Sequence, residues 1–171
     1  MCKLNYASIK KFDVANSPNV GCTLFVSGCT HHCKGCFNSE AQSFSYGNEF
    51  TRDVEDLFIL YAKNPNIINI NILGGEPFQQ DTKQMASFLS RLVDEVGKPI
   101  WIWSGYTFEQ IMSMPERAKL LKYVDILIDG KFELDKRDIT LRFRGSSNQR
   151  VIDIKETLRR GEIIIYKKGE F

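Results

Sequence analysis

The sequence lacks the features that mark membrane, secreted or nucleic-acid-binding proteins. None of its apolar runs approaches the length of a membrane span. Residues 1–13 alternate polar and apolar side chains and contain no apolar signal-peptide core. The formal net charge is only +2, so no excess of one sign indicates nucleic acid or a membrane surface as a partner. We therefore expect a cytoplasmic protein with neither of these partners.

Internal repeats, low-complexity stretches and linkers rich in proline or glycine are also absent. A length of 171 residues favours one domain. A chain of this size buries roughly two-thirds of the surface that it exposes when unfolded. The hydrophobic fraction of 43% and the charged fraction of 26% are ordinary for a globular protein. We expect a single domain over residues 1–171.

Cysteine is scarce, and its placement excludes a disulfide framework. Four of the five cysteines fall between Cys22 and Cys36, and no cysteine follows Cys36. An odd count with this clustering is better explained by a metal site in a reducing compartment than by disulfide pairing. We interpret Cys2 as incidental.

Three cysteines form a Cys-x-x-x-Cys-x-x-Cys pattern at Cys29, Cys33 and Cys36. An ordinary iron–sulfur cube has a thiolate on each of its four irons, so three thiolates leave one iron open. An open metal position is typical of sites that bind a ligand and perform chemistry, as zinc sites show. We therefore predict a 4Fe–4S cluster with these three cysteine ligands.

The alternative is a structural zinc site in which Cys22, His31 or His32 supplies a fourth ligand. Cys22 begins an apolar, strand-like run, and seven extended residues span up to ~25 Å, so it would have to fold back. We interpret the two histidines as loop residues that form local hydrogen bonds. A structural zinc site supplies folding energy directly, so loss of Cys22 would then remove both metal and fold.

Apolar runs of strand length alternate with helical patterns along the chain. Strands are predicted at 22–27, 67–73, 100–103, 124–128 and 162–166, and helices at 51–61, at 81–96 and after residue 107. Thr51 is an expected N-cap, Thr107 and Gln110 an expected capping box, and Gly97 an expected helix stop. The alternation favours parallel β/α units, and at about thirty residues per unit the chain supplies only part of an eight-unit barrel. We expect an α/β fold, an open partial (β/α) barrel, with a flat doubly wound sheet as the alternative.

Unusual residues follow each of the first four predicted strands. They are the cysteine loop at 29–36, the glycines and glutamate at 74–76, the Ser-Gly pair at 104–105 and the Asp-Gly-Lys triplet at 129–131. The carboxyl ends of parallel strands meet at one rim, where active sites form. The four segments therefore predict one pocket.

The cysteine spacing is the signature of the radical S-adenosylmethionine enzymes, which this chain resembles. Within that family it is similar, from about Phe12 to Asp153, to the activating enzymes of anaerobic (class III) ribonucleoside-triphosphate reductases. The motifs that carry the resemblance are CTLFVSGC, the cysteine loop, GGEP, WIWSGY, DILIDGKF and RGSSNQR. The chain departs from the family at 16–21, where a glycine-proline-glycine turn and an arginine are usual. It also departs at Phe37, usually tyrosine, and Glu76 stands where aspartate is also common.

The resemblance implies a binding site for S-adenosylmethionine, whose amino and carboxylate groups take the open iron. Phe37 would pack on the adenine, and backbone carbonyls of residues 74–76 would hold the methionine amino group. Ser104 would contact the ribose, Lys131 the methionine carboxylate, and Asp129 would order the site. From the residues alone, a plug under the loop, strand-ending turns and solvated charges explain the same positions. The predicted cofactor-binding residues are Gly35, Cys36, Phe37, Gly74, Gly75, Glu76, Ser104, Asp129 and Lys131.

The resemblance also implies a reaction and its partners. A flavodoxin or ferredoxin would reduce the cluster, and S-adenosylmethionine would split into methionine and a 5′-deoxyadenosyl radical. That radical would take a hydrogen atom from a backbone glycine of the reductase. The basic loop at 142–150 is expected on the rim, in contact with the protein substrate or the cofactor. Another glycyl-radical activase, or a deazaguanine-pathway synthase, is the nearest alternative.

Overall fold

The computed structural model describes residues 4–167, and its strands form a single mixed sheet. The strands are β1 Asn5–Asp13, β2 Gly21–Ser27, β3 Asn48–Glu49, β4 Asn69–Gly74, β5 Ile100–Trp103, β6 Ile126–Asp129 and β7 Arg150–Asp153. Their order across the seven-stranded sheet is β3-β1-β2-β4-β5-β6-β7. The four central strands, β2, β4, β5 and β6, are parallel, whereas β1, β3 and β7 pair antiparallel with their neighbours. The sheet is therefore open, with β3 and β7 at its two edges.

Helices lie in each connection between successive parallel strands, as crossover connections require, and one more follows β7. They are α1 Arg52–Ala62, α2 Thr82–Glu95, α3 Phe108–Met112, α4 Pro115–Ala118 and α5 Ile154–Arg160. Thr51 and Asp81 each accept a hydrogen bond from the backbone N–H three residues on, and Thr107 forms a capping box with Gln110. Gly97 follows α2 with a φ of +66° and donates its N–H to the carbonyl of Leu92, 3.0 Å away. No helix within residues 4–167 is long and apolar enough to cross a bilayer.

Both faces of the central strands are buried, as is typical of parallel sheets. On one face, apolar residues of β2 and β4 such as Leu24 and Ile72 pack in one cluster with Phe58 of α1 and Phe88 of α2. On the other face, Trp101 heads a second cluster with Ile126 and Ile128, against which Phe143 and Tyr166 pack. The alternation of side chains along each strand separates the two faces.

The predicted parallel strands and the two longer helices are confirmed within two residues of the expected bounds. The predicted strand at 162–166 is wrong, because only Ile165 pairs, in an isolated antiparallel bridge to Ile152. Gly161 ends α5 with a φ of +74°, and the chain after it meets β7 at that one point. The prediction also missed β1, β3, β7, α4 and α5.

A candidate iron–sulfur site at the strand ends

A cavity of about 520 Å³ lies at the carboxyl ends of the four parallel strands. This volume falls within the range of small-molecule sites. Its wall is formed by residues from all four predicted segments and from the loop at 131–149. The predicted site residues on the wall are Cys29, Cys33, Cys36, Phe37, Gly74, Gly75, Glu76 and Ser104.

Three predicted residues lie beside the cavity but not on its wall. Asp129 is buried at the end of β6, where its carboxylate accepts a hydrogen bond from the N–H of Phe108 at 2.7 Å and pairs with Arg150. Lys131 is exposed, and its carbonyl accepts a hydrogen bond from Nδ2 of Asn148 at 2.8 Å. Gly35 has a φ of +73°, which glycine adopts without strain. The hydrogen bond from Phe108 to Asp129 therefore links the start of α3 to the end of β6.

The cysteine loop leaves β2 and is tied to the chain that follows it. The N–H groups of Gly28 and Cys29 donate to the carbonyls of Ala41 and Gln42, at 2.7 and 2.9 Å. Within the loop, the N–H of His31 donates to Sγ of Cys29 at 3.5 Å. Burial raises the pKa of the Cys29 thiol to about 11. Metal binding at this thiol must therefore displace a proton.

The donor set fits an iron–sulfur cluster and not the zinc alternative. Cys22 is fully buried in the apolar cluster that contains Phe58 of α1 and Phe88 of α2. Burial raises the pKa of its thiol to about 12. The length of β2, roughly 20 Å, separates it from the loop. One ring nitrogen of His31 and one of His32 form local hydrogen bonds, with Glu76 at 3.1 Å and Gln42 at 3.0 Å.

Across the described part of the chain, no three His, Cys, Asp or Glu side chains converge closely enough to hold one metal ion.

Glycine is required where the cysteine loop meets β4. Gly74 has a φ of +112°, and a Cβ on Gly75 would lie 2.5 Å from the carbonyl oxygen of Gly28. A ligand that approaches the backbone closely at this point would by itself favour glycine. The structure adds a second reason, the close packing of the chain's own backbone at the point where the cavity forms.

Glu76 is fully buried, and each of its two carboxylate oxygens accepts two hydrogen bonds. Oε1 accepts from the N–H of Phe78 and the hydroxyl of Ser104, at 3.0 and 2.9 Å. Oε2 accepts from the N–H of Gly105 at 2.6 Å and faces Nε2 of His31 at 3.1 Å. The Glu76 side chain therefore joins the ends of β4 and β5 to the cysteine loop.

Phe37 lies at the mouth of the cavity with 66% of its surface exposed, so it is not a buried plug. Its ring centroid is 5.2 Å from that of Phe132. The guanidinium carbon of Arg137 lies 5.5 Å from the Phe37 centroid. This arrangement presents an aromatic face and a positive charge at the opening.

Sequence reasoning named the loop at 142–150 for the rim but did not identify the individual wall residues. Phe143, Arg144, Gly145 and Gln149 all line the cavity. The side-chain amide of Gln149 accepts from the N–H of Gly145 at 2.8 Å and donates to the carbonyl of Gly130 at 2.9 Å. The RGSSNQR motif was the available signal for this loop. The structure also adds His31, Gly105 and Gln79 to the residues that shape the site.

Comparisons with known proteins agree with this geometry. A family model described as a 4Fe-4S single cluster domain matches residues 15–152. The chain thus carries an iron–sulfur domain of the single-cluster type. Relatives named anaerobic ribonucleoside-triphosphate reductase-activating protein are 37% identical in Pasteurella multocida and 38% identical in Vibrio cholerae, over 150 residues each. These alignments cover 85% of this chain and 95% and 96% of the two relatives.

A third relative of the same name comes from Enterobacteria phage T4. It is 34% identical over 150 residues, which cover 86% of this chain and 93% of the relative. The chain belongs to the family of anaerobic ribonucleoside-triphosphate reductase-activating proteins. The resemblance stated from the sequence motifs is confirmed at this level.

Proposed function

We propose that this protein activates an anaerobic ribonucleoside-triphosphate reductase by radical S-adenosylmethionine chemistry. The proposal rests on three cysteine thiols that line one cavity at glycine-rich strand ends. Among residues 4–167, no fourth cysteine lines that cavity. The names of the relatives supply the protein substrate. When bound, a 4Fe–4S cluster and S-adenosylmethionine supply the one-electron chemistry that takes a hydrogen atom from a backbone glycine of the reductase.

The chain's own residues would hold these groups. Cys29, Cys33 and Cys36, as thiolates, would ligate three irons and leave the fourth open. The backbone of residues 74–76 lies on the cavity wall, where the carbonyls of Gly74 and Gly75 would accept hydrogen bonds from an ammonium group. Phe37 offers an aromatic face at the mouth for a nucleobase.

Ser104 and the end of β6 would complete the cofactor site. The Ser104 hydroxyl donates to Glu76 and accepts the N–H of Tyr106 at 3.0 Å, which leaves one lone pair for a ribose hydroxyl. Lys131 follows β6 and would reach a carboxylate by its long side chain. Asp129 would act indirectly, by holding the backbone of this strand end in place.

The open sheet suits a protein substrate. We propose that the four parallel strands form the partial barrel of the radical S-adenosylmethionine type, because a closed barrel would exclude a peptide segment. A flavodoxin or ferredoxin would supply the electron. Free thiols in the cysteine loop require a reducing compartment, which favours the cytoplasm.

The test is radical formation on the partner. The anaerobically reconstituted protein is mixed with the reductase from the same source, S-adenosylmethionine and a reductant, and electron paramagnetic resonance is recorded. We expect a glycyl-radical signal that requires all four components. Cleavage of S-adenosylmethionine that proceeds with a free small molecule, and gives no radical on the reductase, would favour a synthase instead.

A further inference from the structure

The side chain of His31 is enclosed, although its neighbours in the cysteine loop are half-buried or exposed. Only 7% of the side chain is accessible. Its ring packs edge-on against Tyr106, with centroids 4.5 Å apart at an interplanar angle of 73°. A Cβ on Gly105 would lie 2.3 Å from Cδ2 of His31, so the glycine leaves the space that the ring fills. The end of β5 is thus shaped to receive this ring.

The ring completes the hydrogen bonding of a buried carboxylate. Glu76 accepts three hydrogen bonds from the loops after β4 and β5, and Nε2 of His31 faces the remaining position at 3.1 Å. Because Glu76 accepts, Nε2 is the donor in this pair. A buried carboxylate is stable only when its acceptor positions are filled, so this contact holds the cysteine loop against the strand ends.

A neighbouring contact fastens the same part of the loop. The N–H of Thr30 donates to Oε1 of Gln79 at 2.7 Å. Nε2 of Gln79 in turn donates to the hydroxyl of Tyr106 at 3.0 Å. Residues 30 and 31 are therefore both tied to the loops that follow β4 and β5.

The backbone of His31 points toward a candidate iron ligand. Its N–H donates to Sγ of Cys29 at 3.5 Å. Hydrogen bonds to the sulfur atoms of an iron–sulfur cluster help to set its reduction potential, because they stabilise the added negative charge. The orientation of this N–H depends on where the His31 side chain is anchored. The next residue, His32, has a φ of 48°, a conformation that surrounding contacts must maintain.

We propose that His31 is a positioning residue: through Glu76 and the space at Gly105, it fixes the N–H that is aimed at Cys29 Sγ. It thereby sets the geometry of the cysteine loop and the reduction potential of the cluster. This inference rests on the proposed function for the cluster, but the anchoring of the loop is a property of the chain alone. The anchoring of the loop can therefore be measured in the metal-free protein, through the reactivity of Cys29.

The first test uses the metal-free protein. The rate of Cys29 alkylation by iodoacetamide is measured by peptide mapping in wild type, His31→Ala and His31→Gln. We expect a several-fold faster reaction in His31→Ala, because the loop is released. His31→Gln should restore most of the protection, since its amide can donate to Glu76 from the same position. The control is His32→Asn, which tolerates the positive φ and should behave as wild type.

The second test measures the midpoint potential of the reconstituted cluster in the same variants. The potential of His31→Ala should be more negative than that of wild type, and that of His31→Gln should lie between them. If His31→Ala does not fold, Gly105→Ala keeps every hydrogen-bond donor but fills the space of the ring, and it should show the same changes. Wild-type alkylation rates and potential in both variants would overturn the proposal. A wild-type protein that binds no cluster would overturn the proposed function, while the alkylation rates would still decide the role of His31.

Discussion

At the scale of single residues, burial separates the four cysteines that the structure describes into two kinds; Cys2 lies outside the described residues. Cys22 is fully buried among apolar side chains, whereas Cys29, Cys33 and Cys36 are partly accessible and line the cavity. The spacing of the cysteines was enough to predict this division, because Cys22 begins an apolar strand and the others follow it. We therefore expect substitutions of the two kinds to differ: one kind should lose iron and keep the fold, and the other should keep iron and lose stability.

Cys33→Ala should lose the cluster and glycyl-radical formation together, while the metal-free fold survives. The reason is that Cys33 is proposed to supply an iron ligand and contributes little to the core. Iron per chain, radical yield and the thermal unfolding of the metal-free protein measure these outcomes.

Cys22→Ser is the matched control for the cysteine prediction. It should retain iron but lower the free energy of unfolding by about 1–3 kcal/mol, because a hydroxyl replaces a buried thiol. Loss of iron in Cys22→Ser, or radical formation at the wild-type rate in Cys33→Ala, would contradict the assignment of the ligands.

Gly75→Ala tests the close packing beneath the site. The new Cβ would meet the backbone of Gly28, with the oxygen 2.5 Å and the nitrogen 2.8 Å away, and neither atom can rotate aside. We expect a loss of about 1–3 kcal/mol in the free energy of unfolding, together with weaker cluster retention.

Gly145→Ala is the control for that substitution, because its Cβ would meet only the rings of Phe132 and Phe37, at 3.0 and 3.3 Å. Such side chains can move, so this variant should be affected less. Urea denaturation of the two metal-free variants compares them. Equal stability would show that backbone crowding at Gly75 is not the constraint.

At the scale of elements, one arginine joins three of them. Arg150 at the start of β7 pairs with Asp129 at the end of β6 and, at 2.8 Å, with Glu109 of α3. Asp129 also accepts the N–H of Phe108, at the start of α3. This network fixes the backbone that leads into Gly130 and Phe132 on the cavity wall.

The pairing of Arg150 with Glu109 should depend on pH in a defined direction. The hydrogen bond from Arg150 lowers the pKa of Glu109 from its ordinary value of 4.5 to about 2. Because the pKa is lower in the folded protein, the stabilisation is complete above about pH 4.5 and is lost as the pH falls toward 2. Glu109 is largely exposed, so the pair contributes only about 0.2–1 kcal/mol at neutral pH.

Glu109→Gln measures that contribution. The free energy of unfolding of the metal-free protein is compared between wild type and the variant at pH 7 and at pH 3. The variant should be less stable at pH 7, and the difference should shrink at pH 3. A difference that stays constant or grows would show that the pair does not act as described.

Sequence patterns located the central elements because each carries its own signal. Apolar runs bounded by glycine marked β4 and β5, and caps marked α1 and α2. Strand β1, which lies between β3 and β2, was not predicted because register shifts between Tyr6 and Ser8 and between Lys10 and Asp13 break its alternation. Strand β3 has only two residues, both polar, and β7 begins and ends with a charged residue, so neither forms an apolar run. The apolar residues at 162–166 led to a wrong strand prediction, because strand pairing depends on which segment of the fold lies alongside. The sequence does not show that segment.

At the scale of the whole molecule, parallel topology explains why separate motifs meet. Four parallel strands end at one rim, so their loops line a common cavity. That convergence followed from the order of motifs in the sequence. The hydrogen bonds to Glu76 did not follow from the sequence, because its four donors lie up to 45 residues from it along the chain. The antiparallel strands on either side of the parallel ones were also found only in the structure.

The central claim is that three cysteines hold a 4Fe–4S cluster with an open iron. The most direct test is electron paramagnetic resonance of the anaerobically reconstituted, dithionite-reduced protein, with and without S-adenosylmethionine. We expect the signal of a reduced 4Fe–4S cluster, and we expect that signal to change when S-adenosylmethionine is added. A silent sample that contains zinc and no iron would contradict it and leave the cysteines a structural role.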